Sequence, residues 1–212
     1  MKLKVCGMKY DKNIQELGAL LPDYMGFIFY EKSSRFIRNE LSESTLNELP
    51  TSIKKVGVFV NATLEYVLSN VEKYNLDFAQ LHGNETVEYC EYLKQKGIQI
   101  IKGFQISDEF DFNQLEVYKK YVSYFLFDTK SESYGGSGKK FNWKILQDYD
   151  NEVPIFLSGG ISFEDASEIK NNPILKNIKI ECIDINSRFE TAPAKKNIPL
   201  ISEFKKQLQN EL

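Results

Sequence analysis

The stretch KKVGVFVNATLEYVLSNVEKYNLDFAQLHG, Lys54 to Gly83, decides how this chain folds. Its two apolar runs, KKVGVFVN and FAQLHG, are rich in Val and Phe and read as strands. Between them TLEYVLSNVEKYN sets Leu64, Val67, Leu68 and Val71 on one face of a helix. A strand, a helix and a second strand at this rhythm require parallel pairing, with the helix covering the sheet.

Working outward, the same unit recurs. LKVCG and YMGFIFY precede it, and QIIKGFQI, YFLFDT, VPIFLSGG and KIECIDINS follow, making eight candidate strands. TVEYCEYLKQKG reads as a helix stopped by Gly97, and PLISEFKKQLQNEL as the closing helix. The helical pattern is weakest in ESTLNELPT and DEFDFNQLEVYKKY. Eight such units are the number that closes, so the predicted fold is α/β: a (β/α)8 TIM barrel with a parallel eight-stranded sheet, one small domain over residues 1–212. An open doubly wound sheet fits less well, because no GxGxxG follows the first strand.

Composition narrows the function. The net charge of −3 is spread as lysines among glutamates, which predicts no nucleic-acid partner and no anionic membrane surface. No apolar run nears the roughly 18 residues of a membrane span, and MKLKVCGMKY lacks the apolar core of a signal peptide, so a cytoplasmic protein is expected. The three cysteines, Cys6, Cys90 and Cys182, contain no CxxC and read as free thiols. With a single histidine, His82, no metal site is expected.

A barrel of this kind builds its site where strands end and loops begin, so the polar residues there are Cys6, Arg35, Asn61, His82, Asp128 and Asp184. Taken alone, each has a plain structural reading. A free cysteine is usually a small buried hydrophobe, and an aspartate after a strand usually caps a loop. Lys4 raises the interest of Cys6, since side chains two apart on a strand share a face and an ammonium favours a thiolate. His82, before Gly83, either holds a loop or meets a ligand, and the same alternatives stand for Asn61 and Asp184. Gly159 and Gly160 directly follow the seventh strand, where barrels that bind phosphate offer bare backbone N–H groups. Asp128 is itself followed by the segment TKSESYGGSGKKFNW, with three glycines close together.

The motifs taken in order resemble phosphoribosylanthranilate isomerase, a cofactor-free isomerase family of tryptophan biosynthesis. KVCG at residues 4–7 is similar to its opening motif, and GFIFYEKSSRF to its second strand and loop, with Ser33, Ser34, Arg35 where Ser, Pro, Arg is usual. VGVFVN, QLHGNE, FDT, GGSGKKFNW and LSGGI follow in family order. Each motif alone is generic, but their sequence and spacing cover nearly the whole chain.

The resemblance implies that Asp128 is a general acid and that GGSG belongs to the loop beyond it. It implies an Amadori rearrangement of an N-linked aminoribose 5-phosphate, with Cys6 as general base, Arg35 clamping the anthranilate carboxylate, and no cofactor. A phosphorylated small molecule is thus the expected partner, handled by a monomer or a homodimer. Phosphate binding falls to Gly159, Gly160 and the segment after Asp184, including Ser187 and Arg188. Here the chain departs from the pattern Asp, x, Ser, Ser, Gly, x, Glu, since Arg188 stands at the glycine. Either the loop keeps its path and Arg188 adds charge to the phosphate, the reading preferred here, or a glycine-only conformation is lost. Further on, Pro, Gly, x, Lys, Asp has become Pro193, Ala194, Lys195, Lys196, Asn197. The rival isomerase of histidine biosynthesis uses a pair of aspartates, the first where this chain has Cys6. A barrel that only binds has no need of an acid and a base together.

Overall fold

The computed structural model describes residues 1–38, 40–129 and 140–209. Eight strands pair in parallel and in chain order: β1 (Lys2–Val5), β2 (Tyr24–Ile28), β3 (Lys54–Phe59), β4 (Phe78–Leu81), β5 (Gln99–Ile106), β6 (Tyr124–Thr129), β7 (Ile155–Leu157) and β8 (Ile180–Ile185). β8 returns to pair with β1, so the barrel closes and no strand edge is left to recruit another chain.

The two-residue alternation of the strands sorts their side chains. Tyr24, Val56, Phe78, Ile101, Leu126, Phe156 and Cys182 form the apolar plug inside the barrel. Leu3, Val5, Phe27, Phe59, Phe125 and Ile183 alternate with that set and pack outward against the helices. The decisive stretch behaves as expected. Helix α3 (Leu64–Lys73), counted after α1 (Asp11–Gly18) and α2 (Glu43–Asn47), buries Val67 and packs Leu64, Leu68 and Val71 on the core. Its start is fixed by Thr63, whose hydroxyl accepts from the Tyr66 N–H at 3.2 Å. Helix α4 (Val87–Gln95) ends before Gly97, which takes φ +82°; α5 (Ala166–Asn171) and the closing α6 (Ile198–Gln209) complete the shell.

The structure departs from the sequence reading in three ways. α2 is only five residues long. The fifth and sixth crossovers are 3-10 segments, Phe112–Tyr118 and Trp143–Asp148, instead of α-helices. Both open on a side-chain turn: Asp111 accepts from the Asn113 N–H at 2.9 Å and Asn142 from the Lys144 N–H at 3.2 Å. Such a bond two residues ahead tightens the first turn, and Leu115 and Leu146 then anchor each segment in the core. The third departure is an added antiparallel hairpin, β9 (Glu190–Ala192) with β10 (Lys195–Lys196), between β8 and α6. Among the described residues no helix is long and apolar enough to cross a membrane.

Candidate active site

At the C-terminal end of the strands a pocket of about 730 Å³, counting its opening to solvent, collects seven of the ten candidate residues: Cys6, His82, Asp128, Gly159, Gly160, Asp184 and Ser187. Arg35 and Arg188 stand outside its lining. The GGSG segment lies outside the described residues.

Cys6 leaves the end of β1 with its N–H donating to the Ile185 carbonyl at 2.9 Å. Two residues back, Lys4 also points inward and its Nζ donates to Asp184 Oδ2 at 2.9 Å, a pair with side chains 0% and 5% exposed. Burial pushes the Cys6 thiol up, Lys4 and Lys196 pull it back, and Asp184 adds to the rise, so the thiol ends above its ordinary value. Burial alone would lower the Lys4 ammonium, but Asp184 and Cys6 hold it above its usual range. Burial likewise raises the Asp184 carboxyl against the pull of Lys4, and Asp184 Oδ1 is buried with no hydrogen-bond partner. Room for the thiol comes from β2: a Cβ on Gly26 would lie 2.7 Å from Cys6 Sγ.

Across the mouth, Asp128 ends β6. Its Oδ1 accepts from the Thr129 N–H at 2.8 Å, and its Oδ2 lies 3.4 Å from His82 Nε2. The other ring nitrogen of His82 faces Gln80 Nε2 at 3.1 Å, while Gln80 Oε1 is buried and unpartnered. Both ring nitrogens thus meet polar side chains of the pocket, which fixes the imidazole beside the carboxylate. Asn61 does not reach the pocket. Its Oδ1 accepts from the Asn84 N–H at 2.7 Å and its N–H donates to Glu85 at 2.8 Å, so it holds the loops after β3 and β4 together.

The glycines after β7 have both a steric and a conformational reason. Gly159 and Gly160 take φ +98° and +64°, and a Cβ on Gly159 would sit 2.3 Å from Thr129 Oγ1 and 3.1 Å from Asp128 Oδ1. The bare backbone lets the loop after β7 close over β6. Ser187 opens the short 3-10 turn Ser187–Phe189, which carries the exposed Arg188. Arg188 is not among the residues with positive φ, so its own backbone conformation does not call for a glycine. Glu164 lies near it, its carboxyl held low by its own backbone N–H and by Ser162, with Arg188 adding to the effect.

Arg35 is held by a group that sequence reasoning missed. Its Nε and Nη2 donate to Glu190 Oε1 and Oε2 at 2.9 and 2.6 Å, a bidentate pair. Glu190 Oε1 also accepts from Lys196 Nζ at 2.6 Å, and Lys196 Nζ donates to Asn186 Oδ1 at 2.7 Å. Asn186 and Gln80 line the pocket and were missed too. Gln80 alternates with Phe78 and His82 on β4, a signal that period two offers; Asn186 and Lys196 fall at positions of the two family patterns after Asp184, but neither pattern gave them a role. Among the described residues no three His, Cys, Asp or Glu side chains cluster as metal ligands.

A closed (β/α)8 barrel with a thiol and a carboxylate on one pocket at the strand ends, and paired glycines after its seventh strand, has the architecture of a small barrel enzyme. Residues 3–207 match the family described as N-(5'-phosphoribosyl)anthranilate (PRA) isomerase. The chain is 45% identical over 209 residues to N-(5'-phosphoribosyl)anthranilate isomerase of Parabacteroides distasonis, covering 98% of this chain and 93% of the relative. It is 40% identical to that of Phocaeicola vulgatus, over the full length of both. Among solved structures, the phosphoribosyl anthranilate isomerase of Thermotoga maritima superposes with a TM-score of 0.87 at 31% identity, covering 99% of each chain. Another, at 0.83 and 28%, again over 99% of each chain, holds reduced 1-(o-carboxyphenylamino)-1-deoxyribulose 5-phosphate. The chain belongs to the phosphoribosylanthranilate isomerase family.

Proposed function

We propose that this protein converts N-(5-phosphoribosyl)anthranilate to 1-(2-carboxyphenylamino)-1-deoxyribulose 5-phosphate, with Asp128 as general acid, Cys6 as general base and no cofactor. The observation that carries this reading is that Cys6, Asp128 and the Gly159–Gly160 pair share one pocket in a member of this family. The substrate phosphate lies against the backbone N–H groups of Gly159, Gly160 and Ser187, with Arg188 adding positive charge at the rim. Its carboxylate meets Arg35 on the guanidinium edge that Glu190 does not occupy. Two buried acceptors without partners, Asp184 Oδ1 and Gln80 Oε1, take hydrogen bonds from sugar hydroxyls.

The reaction then runs on the substrate's own nitrogen. Asp128 gives a proton to the ring oxygen, the C1'–O bond breaks, and the nitrogen lone pair forms an iminium. Cys6, as thiolate, removes the proton from C2', and the electron pair moves to give the enolamine. Loss of the 2'-hydroxyl proton with protonation at C1' yields the ketone, and the proton counts of Asp128 and Cys6 are restored. His82 holds the Asp128 carboxylate in place.

Steady-state kinetics of Asp128→Asn, Cys6→Ser and Arg35→Met test these roles. Both catalytic substitutions are expected to lower kcat by about 10²–10⁴ in folded protein, while Arg35→Met raises KM more than it lowers kcat. Wild-type kcat in Asp128→Asn would contradict the acid assignment.

A further inference from the structure

The Arg35–Glu190–Lys196 cluster beside Cys6 has no role in the scheme above beyond positioning Arg35. Lys196 is a lysine with a 0% exposed side chain, an expensive group to bury unless its charge is used. Its backbone is fixed at both polar groups, the N–H donating to Asn13 Oδ1 at 2.7 Å and the carbonyl accepting from Asn13 Nδ2 at 3.2 Å. Its Nζ is fixed on Glu190 and on Asn186, which lines the pocket together with Cys6. Gly7, next to Cys6, marks how close the cluster comes: a Cβ there would lie 2.9 Å from Asn186 Oδ1 and 2.7 Å from Arg35 Cδ.

Charge counting shows what the cluster favours. The groups facing Cys6 are Lys4 from β1, Asp184 from β8, Lys196 from β10 and Arg35 from the loop after β2, with Glu190 of β9 behind the last two. His82 and Asp128 stand across the mouth. In their charged forms Lys4 and Asp184 cancel, and Glu190 cancels only one of Arg35 and Lys196. With Asp128 carrying its proton as the acid, one positive charge is left over, and an ionised Cys6 neutralises it. Lys4 acts on the thiol more strongly than Lys196 does, Asp184 opposes part of that effect, and Lys196 adds to what Lys4 supplies.

We propose that Lys196 is a positioning residue of the active site: its ammonium, anchored on Glu190 and Asn186, supplies fixed positive charge that raises the fraction of Cys6 present as the proton-accepting thiolate. The proposal rests on Cys6 acting as the base, and it deepens that reading by giving the base its counter-charge. Asn186 and Glu190 keep the ammonium in place, and the hairpin that carries Glu190 and Lys196 becomes part of the site.

The test is an ultraviolet titration of the Cys6 thiolate, each protein measured against its own Cys6→Ser counterpart so that Cys90, Cys182 and the tyrosines cancel. It needs no substrate, so it can be read whether or not the wild type turns over phosphoribosylanthranilate. Two neutral variants are compared: Lys196→Gln keeps a donor for Glu190 and Asn186, and Lys196→Met does not. Each is expected to move the midpoint up by about one pH unit, roughly tenfold less thiolate at a given pH. Lys196→Arg, which keeps the charge, is expected to hold the wild-type midpoint. A midpoint unmoved in a neutral variant whose circular dichroism is native, or moved equally by Lys196→Arg, would overturn the proposal even if isomerase activity falls.

Discussion

At the scale of single residues, the site is a contest between burial and charge. The Cys6 thiol lies above its ordinary 9.0 because burial outweighs Lys4 and Lys196. The thiolate is therefore the minor form at neutral pH and grows as pH rises, but the scheme also needs Asp128 to keep its proton, so kcat/KM is expected to be bell-shaped in pH and to fall on its alkaline limb. A profile that keeps rising through the alkaline range would argue against an acid and a thiolate base acting together. The steric frame is equally tight. Gly26→Ala places a methyl 2.7 Å from Cys6 Sγ and 3.1 Å from its Cα, which is expected to cost about 1–3 kcal/mol of stability and, by displacing the base, up to about 10² in kcat. Urea unfolding and initial rates read the two effects separately. Cys6, Asp128 and the glycine pair were legible in the sequence because each sits at the end of an apolar run. Glu190 was not, because its contact with Arg35 joins residues 155 positions apart and exists only once the barrel closes.

At the scale of elements, the turn of the hairpin β9–β10 carries one departure from the family pattern. Ala194, at a position where the pattern has glycine, takes φ +64° in the turn, and its N–H donates to Glu190 Oε1 at 3.1 Å. A left-handed alanine is strained by about 1–2 kcal/mol, and the greater freedom of unfolded glycine offsets about 0.4–1 kcal/mol of that. Ala194→Gly is thus expected to stabilise the protein slightly in urea unfolding; a clear loss would show that the turn is not strained. Glu190 gives the hairpin a pH signature. Burial would raise its carboxyl, but Arg35 and Lys196 hold it below the ordinary 4.5. A depressed carboxylate contributes stability that is fully present above about 4.5 and lost as pH falls through its folded value. Glu190→Gln should therefore lower stability at pH 7 and make its decline on acidification shallower, as urea midpoints at several pH values would reveal. The hairpin itself was invisible to a strand-and-helix reading, since its strands are three and two residues long. The fifth crossover was read as a weak helical pattern in DEFDFNQLEVYKKY, and its 3-10 winding is not written in apolar spacing, which a short 3-10 segment anchored by Leu115 satisfies as well.

At the scale of the whole molecule, closure of the sheet brings distant strand ends into one mouth, and eight repeated units made that closure readable in advance. The mouth is braced by a second buried pair that the sequence did not announce. Lys102 Nζ on β5 donates to Glu85 Oε2 at 3.0 Å and to the Gly83 carbonyl at 2.7 Å, with side chains 2% and 1% exposed. Lys102→Met leaves Glu85 buried without its counter-charge and is expected to cost about 3–5 kcal/mol in urea unfolding. A loss below about 1 kcal/mol would mean that the pair is dispensable there. The proposed isomerisation of phosphoribosylanthranilate by proton transfer between Asp128 and Cys6 is read by following anthranilate fluorescence after mixing freshly generated phosphoribosylanthranilate with the wild type, Cys6→Ser and Asp128→Asn, all confirmed as folded. Rapid loss of signal is expected with the wild type and near-background rates with both variants. A folded wild type that leaves the signal unchanged, or a variant that matches its rate, would rule this chemistry out.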